Sequence, residues 1–241
     1  MSSSDVVIEA FTELAPQYEE VVDQELRRFW GLSYREFVDW LIETIPVRDD
    51  DLVLDVATGT ARIPVALAAR TEVESRTVGL DITPAMLEYG RRDVDAKGLT
   101  PRIKLVCASA MGMPFVGGVF DTVICGLGTH HMDVPQMLSE MSRVLKAGGE
   151  LVLADVAASP YWKLPGIKTI IRIVALLHFL LGRNVARAWA EADAVSHIYT
   201  ADEWRTILSD SGFTRIEITE SPARRRWYPC ALIMRAVAGR E

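Results

Sequence analysis

The sequence predicts an α/β fold, with a mostly parallel sheet covered by helices on both faces. Three observations support this prediction. A hydrophobic run, Val53–Val56, leads directly into a turn that contains Gly59. A second strand-like run, Thr77–Leu80, ends on Asp81, 22 positions after Gly59. Strand-like and helix-like patterns alternate to about residue 157, which is typical of parallel strands connected by helices.

Length and composition agree with a single domain. The chain has 241 residues, of which 49% are hydrophobic and 24% charged, as in ordinary globular proteins. Its formal net charge is −7, so no overall positive field would attract a polyanion. We therefore expect no nucleic acid partner.

The first turn and Asp81 together favour a cofactor that contains a nucleoside. A glycine lets the backbone approach a ligand, and a carboxylate at the neighbouring strand end can accept hydrogen bonds from both ribose hydroxyls. A dinucleotide fingerprint, G-x-G-x-x-G, would place glycine at Ala57, Gly59 and Arg62, and only the central position has it. A pyrophosphate site is therefore not expected.

The segment Asp55–Ala61, D-V-A-T-G-T-A, resembles motif I of the class I S-adenosylmethionine (SAM)-dependent methyltransferases, often D-x-G-x-G-x-G, with alanine at the first and last glycine. Later segments resemble further motifs of that family in the same order, over residues 50 to 156. Ser109 stands where the family often has Asp, and Ala147 where it often has Pro. The matching segments are Val78–Leu87, Leu105–Phe115, Phe120–Cys125 and Arg143–Asp155.

This resemblance implies a Rossmann-like sheet of seven strands, with an antiparallel last strand and SAM bound across the carboxyl ends of the first strands. The last two strands are expected at Thr214–Glu220 and Tyr228–Val237. The positions that match the family's cofactor-binding motifs are Asp55, Ala57, Thr58, Gly59, Asp81, Ile82, Met86, Ser109, Ala110 and Cys125.

The N-terminal segment resembles a narrower group. Phe11–Glu19, F-T-E-L-A-P-Q-Y-E, is similar to the F-x-x-I-A-x-x-Y-D entry of the ubiquinone/menaquinone-biosynthesis C-methyltransferases. In that group the segment packs over the cofactor, and its tyrosine faces the methyl donor. Tyr18 is the matching residue here, although it is equally suited to anchoring an amphipathic helix on the domain.

We expect one methyltransferase domain over residues 1–241, divided into four regions. Residues 1–47 form a helical N-terminal lid, 48–157 the SAM-binding core, 158–211 a helical cap around the acceptor, and 212–241 the final strands. Three separated cysteines with no Cys-x-x-Cys pair predict neither a disulfide framework nor a metal site. The first residues lack the positively charged start of a signal peptide, so a cytoplasmic location is expected.

Two histidines are candidate catalytic residues. Methyl transfer depends mainly on positioning, and a base is needed only when the acceptor must lose a proton. His130 and His131 follow the fourth strand, where the family presents residues to the acceptor. A neutral imidazole there can take a phenolic or enolic proton, and His130 is favoured. Alternatively one of them caps a helix or contacts backbone. His178 and His197 are expected to be structural.

The segment 163–187 is strongly apolar on one helical face, with Ile167, Ile170, Ile171, Val174, Leu177 and Leu181 at helical spacing. Lys168 and Arg172 interrupt it, so a transmembrane span is not expected. Three interpretations stay open. It is a buried cap helix, a lid over a hydrophobic acceptor, or an interfacial helix that makes a peripheral membrane contact. The aromatic side chains expected to wall the acceptor pocket are Trp162, Trp189 and Tyr199.

The expected function is SAM-dependent methylation of a hydrophobic small-molecule acceptor, with C-methylation of a quinone-type or prenylated ring as the nearest resemblance. O-methylation of a phenolic or polyketide product and N-methylation of a phospholipid are the alternatives within the same chemistry. A SAM-fold protein that binds or rearranges its ligand without methylating it is the alternative of another class.

Overall fold

The computed structural model describes residues 3–70, 75–181, 185–221, 223, 225 and 227–239, and the side chains of residues 3, 178, 179 and 181 lie outside that description. Three helices precede the sheet: α1 (Ser3–Leu14), α2 (Tyr18–Phe29) and α3 (Tyr34–Thr44). A capping box begins α3, because the Ser33 hydroxyl accepts from Glu36 N–H while the Glu36 carboxylate accepts from Ser33 N–H.

Seven strands form one sheet: β1 (Leu52–Val56), β2 (Arg76–Asp81), β3 (Ile103–Cys107), β4 (Phe120–Gly126), β5 (Leu145–Ala157), β6 (Phe213–Glu220) and β7 (Cys230–Ala238). The order is β3-β2-β1-β4-β5-β7-β6. Strands β1 to β5 run parallel, and β7 is antiparallel to both of its neighbours. The predicted seven-stranded α/β fold with an antiparallel last strand is therefore confirmed.

The last strand begins later than predicted, at Cys230 rather than Tyr228. Cys230 is the first residue of this segment to pair with β5, opposite Ala157. Just before it, the N–H of Tyr228 donates to the carbonyl of Arg225, so the backbone at Tyr228 is used by a turn and not by the sheet.

Six further helices follow the strands: α4 (Arg62–Ala69), α5 (Pro84–Ala96), α6 (Val134–Val144), α7 (Ile167–Leu181), α8 (Val185–Ala194) and α9 (Ala201–Asp210). Helices α2 and α3 cover one face of the sheet, where Phe37 and Leu41 pack against Ile233. On the other face, α6 and α9 contribute Leu138 and Trp204. The core lies on both faces, so the free carboxyl edge of the sheet is where a ligand can reach the strand ends.

Helix α7 is not simply a buried cap helix. Ile167 and Ile171 pack toward Trp162 and Ile198, as the apolar spacing predicts. The side chains that are more than half exposed form a second apolar face on the outside of the same helix: Ile170, Ile173, Val174 and Leu177. The side chain of Leu181 lies outside the described residues. In the part of the chain that the structure describes, no helix has both the length and the hydropathy to cross a bilayer.

Candidate cofactor and acceptor site

The turn after β1 has an unusual backbone. Ala57, Gly59 and Ala61 all have positive φ, at 57°, 54° and 60°. L-residues other than glycine rarely adopt this conformation, because the β-carbon approaches the following carbonyl. The turn is held by backbone hydrogen bonds from Thr58 N–H to Leu80 O, 3.0 Å, and from Ala61 N–H to Thr58 O, 2.9 Å. The two alanines therefore keep the left-handed geometry that glycine would adopt freely.

Glycines on neighbouring elements accommodate the two alanine methyl groups. A β-carbon placed on Gly128 would lie 2.7 Å from Cβ of Ala57, and one placed on Gly90 would lie 3.1 Å from Cβ of Ala61. Such distances leave no room for a second methyl group. Small residues therefore occur both in the turn, at Ala57 and Ala61, and on the elements that face it, at Gly128 and Gly90.

Asp81, at the carboxyl end of β2, ties the turn to the start of α5. Its Oδ2 accepts from Gly59 N–H at 2.8 Å and its Oδ1 from Thr83 N–H at 2.8 Å. Thr83 is the N-cap residue of α5, but its hydroxyl accepts no capping hydrogen bond. Burial raises the pKa of Asp81, and the two backbone donors oppose that rise. A carboxylate has about four acceptor positions, so about two remain for ribose hydroxyls.

Asp55, which is fully buried, lies behind the turn and not on a cavity surface. Its Oδ2 accepts from the Thr58 hydroxyl at 2.6 Å, while its Oδ1 has no partner among the described residues. Burial raises the pKa of Asp55 to about 7. The hydrogen bond between Thr58 and Asp55 therefore stabilises the turn on the side away from the cavity.

A cavity of about 480 Å³ lies at the carboxyl edge of the sheet, within the usual range for small-molecule sites. One end, the cofactor end, adjoins the β1, β2 and β3 strand ends. The predicted cofactor residues that line the cavity are Tyr18, Ala57, Gly59, Asp81, Ile82, Met86, Ser109 and Ala110. The remaining predicted ones, Asp55, Thr58 and Cys125, do not line it.

The other end, the acceptor end, is lined mainly by residues that were not predicted to contact a ligand. Val7 and Phe11 come from α1, Met132 follows the turn Thr129–His131, and His197 precedes α9. Tyr199, one of the predicted aromatic walls, also lines this end. Trp162 is buried away from the cavity, and its indole N–H donates to Trp227 O at 3.2 Å.

Tyr18 lies between the two ends. Its ring is edge-on to Tyr34, with 6.3 Å between centroids, and 6.3 Å from Phe11. Burial raises the pKa of Tyr18, and the charge of Asp81 adds to that rise. The phenol is therefore neutral at physiological pH, and its role in cofactor binding stays a prediction.

The two histidines differ in their surroundings. Nδ1 of His130 lies 2.6 Å from Oδ1 of Asp155, at the end of β5. The other oxygen of Asp155 accepts from the N–H of Thr129 at 2.8 Å and from the Thr129 hydroxyl. His131 has its ring edge-on to Phe11, 5.2 Å between centroids, and its buried Nδ1 has no partner among the described residues.

Their pKa values move in opposite directions. The negative charge and hydrogen bond of Asp155 raise the pKa of His130 against the cost of burial, and the same pairing lowers the pKa of Asp155. Burial and the neighbouring His130 hold the pKa of His131 well below its usual range. His131 is therefore neutral at pH 7. It lines the main cavity, whereas His130 does not.

A second cavity, of about 270 Å³, lies behind the histidines. It shares Val7, His131 and His197 with the main cavity, and its own wall includes His130 and Trp189. Among the α7 residues whose side chains the structure describes, Arg172 is the one that lines it, and none lines the main cavity. A lid role for α7 thus has no support from the main cavity.

Comparisons with known proteins agree with this geometry. The methyltransferase domain family matches residues 53–149. A demethylmenaquinone methyltransferase from Symbiobacterium thermophilum is 34% identical over 156 residues, which are 64% of this chain and 60% of that protein. The ubiquinone/menaquinone biosynthesis C-methyltransferase UbiE from Geotalea uraniireducens is 26% identical over 222 residues, 87% of this chain and 88% of that protein.

A solved structure shares the fold. Geranyl diphosphate C-methyltransferase from Streptomyces coelicolor A3(2), in complex with Mg²⁺, geranyl diphosphate and S-adenosylhomocysteine (SAH), superposes with a TM-score of 0.67. It is 17% identical and covers 92% of this chain and 84% of its own. The motif-I turn, the strand order and the family match together show that residues 53–149 of this chain form a methyltransferase domain, within the fold of the class I SAM-dependent methyltransferases.

Proposed function

We propose that the protein transfers a methyl group from SAM to a ring carbon of a hydrophobic acceptor, a quinone-type ring in its reduced, hydroxyl-bearing form. The observation that supports this most directly is the main cavity, because one continuous space joins the cofactor end to an apolar and aromatic acceptor end. Such an arrangement holds two reactants side by side, which is most of what this reaction requires.

At the cofactor end, the residues present fit SAM. Asp81 would accept from the ribose hydroxyls, and Gly59, which also lines the cavity, has no side chain between its backbone and the ligand. Ile82 and Ala110 provide apolar surface for the adenine base of SAM. When bound, SAM supplies an electrophilic methyl group on a sulfonium.

At the acceptor end, Val7, Phe11, Met132 and Tyr199 provide mostly apolar side chains. A flat ring is suited to this lining better than a small charged molecule is. Burial also holds His131 neutral. The positive charge of the sulfonium disperses during methyl transfer, and a dry, weakly polar site favours that dispersal over bulk water.

The similar proteins support the choice of acceptor class. Two of them are named for methyl transfer in menaquinone or ubiquinone biosynthesis. The N-terminal segment, whose resemblance points to the same group, supplies Phe11 and Tyr18 to the cavity. We therefore take a quinol, and not a nucleic acid, as the substrate class.

The test has two steps. Calorimetric titration with SAM and then with SAH measures the cofactor site, and both are expected to bind. Anaerobic incubation with SAM and a short-tailed demethylmenaquinol then measures transfer, and NMR of the product locates the new methyl group. A new methyl group on oxygen would show that the reaction is O-methylation and not C-methylation. Absence of SAM and SAH binding would contradict the proposal and favour a ligand-binding protein with a methyltransferase fold.

We further propose that α7 contacts the membrane surface where such acceptors dissolve. Its exposed apolar face supports this, and so does its charge, because the segment between Asp155 and Glu191 contains five basic residues and no acid. Lys168 donates to Ile198 O at 3.0 Å and Arg172 to Ala192 O at 3.1 Å, both toward the protein. The apolar side chains are therefore the principal contact, and the basic residues add a weaker attraction to anionic lipid.

A further inference from the structure

We propose that the smaller cavity receives the hydroxyl-bearing edge of the acceptor ring, with His130 as the base that takes the hydroxyl proton and Asp155 as the residue that positions His130. This inference rests on the proposed function, since it assigns the acceptor's ionisable group a place beside the methyl-donor cavity.

The first support is that the two cavities adjoin. Val7, His131 and His197 line both of them, so a ring at the acceptor end of the main cavity would lie beside His131, with His130 directly beyond it. The wall of the smaller cavity includes the polar side chains of His130, Arg172 and Asp193. It is suited to an edge that bears a hydroxyl, while the main cavity is suited to the apolar body of the ring.

The second support is the hydrogen bonding of Asp155. This carboxylate is fully buried and accepts from the backbone N–H groups of Thr129 and Val156, at 2.8 and 2.7 Å, and from the Thr129 hydroxyl. All of these are donors, so the carboxylate is ionised, and Nδ1 of His130 must be the protonated nitrogen in the 2.6 Å contact. The neutral ring therefore has its lone pair on Nε2, the tautomer that a base requires.

The third support is the difference between the two histidines. His131 lines both cavities as a neutral side chain, and its buried Nδ1 has no partner among the described residues. Of the two rings, His130 is the one in hydrogen-bond contact with Asp155, and this contact stabilises its protonated form. Of the two, His130 is therefore the side chain that can hold a proton taken from the acceptor.

In the reaction, the hydroxyl proton goes to Nε2 of His130, and the ring carbon beside the resulting oxyanion forms the new C–C bond. The S–CH3 bond breaks, with its electron pair remaining on sulfur as SAH. The ring carbon then loses its hydrogen as a proton while the oxygen regains one, which restores the aromatic ring. The His130 imidazolium releases its proton to solvent, so one proton is released for each methyl group transferred.

Other charges also act on His130 and are part of its titration. Glu25 of α2 and Glu191 of α8 raise its pKa, but both carboxylates contact Arg187, at 2.6 and 3.4 Å. The groups that face His130 from the packed elements are Asp155, His131, Glu25, Glu191 and Arg187, with Arg172, Asp193 and His197 around the smaller cavity.

The first test needs no turnover. NMR of the imidazole signals, assigned with His130→Gln and His131→Gln, gives the pKa of each ring. Anaerobic addition of 1,4-naphthohydroquinone to the SAH-bound protein should shift the His130 signals in a saturable way. Unmoved His130 signals would overturn the inference even if SAM binds and methyl transfer occurs.

The second test uses turnover of the demethylmenaquinol. His130→Gln should lower kcat by about 100-fold or more, as expected for loss of a general base, and leave the SAM dissociation constant unchanged, because His130 does not line the main cavity. The wild-type rate should rise with pH through the raised pKa of His130, since only the neutral ring accepts a proton. Asp155→Asn removes the charge that raises this pKa, so the rising limb should move to lower pH.

Asp121→Asn is the matched control. This carboxylate also accepts a backbone N–H, from Leu52 at 3.0 Å, and pairs with Lys146, but it lies at the opposite end of the sheet. Its pH profile should be that of wild type. A His130→Gln enzyme with kcat within threefold of wild type would overturn the inference. Failure of SAM binding in the wild-type protein would instead contradict the proposed function.

Discussion

The two ends of the main cavity are built in different ways. At the cofactor end, Gly59 and Asp81 act through a turn and a strand end, so backbone geometry dictates which residues can stand there. At the acceptor end, Phe11 projects from α1 and Tyr199 from the loop before α9, and many other apolar side chains would fill the same space. The difference teaches that the cofactor end can be recognised from residue types at fixed positions in the sequence. The choice of acceptor depends mainly on which side chains the fold brings together.

The largest effect is expected at the cofactor end. Asp81→Ala should weaken SAM binding by about 100-fold, because charge-assisted hydrogen bonds to a buried carboxylate are lost. Calorimetry measures it, with Asp93→Ala on the exposed side of α5 as the control. The carboxylate must be ionised to accept, and burial raises its pKa, so wild-type affinity should fall as the pH is lowered. Unchanged affinity in Asp81→Ala would remove Asp81 from the ribose site.

A second prediction concerns stability beneath the turn. The pKa of Asp55 is about 7 in the folded protein against an ordinary value of 3.8, so the folded state binds the proton more tightly and loses stability as the pH rises from about 4 to about 7. Asp55→Asn should therefore be near neutral at about pH 3.5 and raise the free energy of unfolding by about 4 kcal/mol at pH 8. Urea unfolding without SAM at both pH values measures it.

The control for Asp55 has the opposite sign. The hydrogen bond and charge of Lys146 lower the pKa of Asp121, so its stabilising contribution is present at neutral pH and is lost as the pH falls through the lowered value. Asp121→Asn should lose stability at pH 8 and not at pH 3. If Asp55→Asn behaved like Asp121→Asn, the buried carboxylate would be a stabilising ion and not a destabilising one.

The third prediction tests the division of small residues around the turn. Gly128→Ala should destabilise the protein by about 1–2 kcal/mol, as overpacking usually does, because its β-carbon would lie 2.7 Å from Cβ of Ala57. In an Ala57→Gly background the next contact is Sγ of Cys125 at 3.3 Å, so the same change should cost much less. Thermal unfolding of the four proteins in this cycle measures the coupling, and strict additivity would contradict the packing argument.

The smallest effect on stability is expected on the outer face of α7. Ile173→Glu with Leu177→Glu should change the free energy of unfolding by less than about 0.5 kcal/mol, since both side chains are exposed. The pair should nevertheless abolish co-sedimentation with phosphatidylcholine vesicles that contain phosphatidylglycerol. Val116→Glu, an exposed apolar residue elsewhere, should sediment like wild type. A wild-type protein that does not sediment would rule out the membrane contact.

The fold was predictable because its determinants are local. The strand, the turn at Gly59 and the acid at Asp81 each impose a residue type at a fixed place, and alternating strands and helices imply the parallel sheet. The cofactor residues were predicted less completely. Cys125 belongs to a matching segment but its side chain is buried in the core, since consecutive residues of a strand face opposite sides of the sheet.

The acceptor side could be predicted only in part. His130 and His131 were identified from their place after β4, but their different environments depend on Asp155, 25 residues away in the sequence and in contact only after folding. The apolar spacing of α7 correctly indicated a helix with a packed face at Ile167 and Ile171. It placed Ile170, Val174 and Leu177 on that same face, although the structure leaves these side chains exposed, because helical periodicity does not show how much surface the neighbouring elements can cover.

The pairing of Ala57 with Gly128 also constrains the order in which this site can change over generations. With Ala57 in place, a change of Gly128 to alanine would produce the crowded pair directly, whereas the same change would cause much less crowding if position 57 had become glycine first. Glycine at position 57 must therefore come before alanine at position 128. A search pattern that requires glycine at every motif position would miss sequences that have alanine at position 57, although their turn has the same shape.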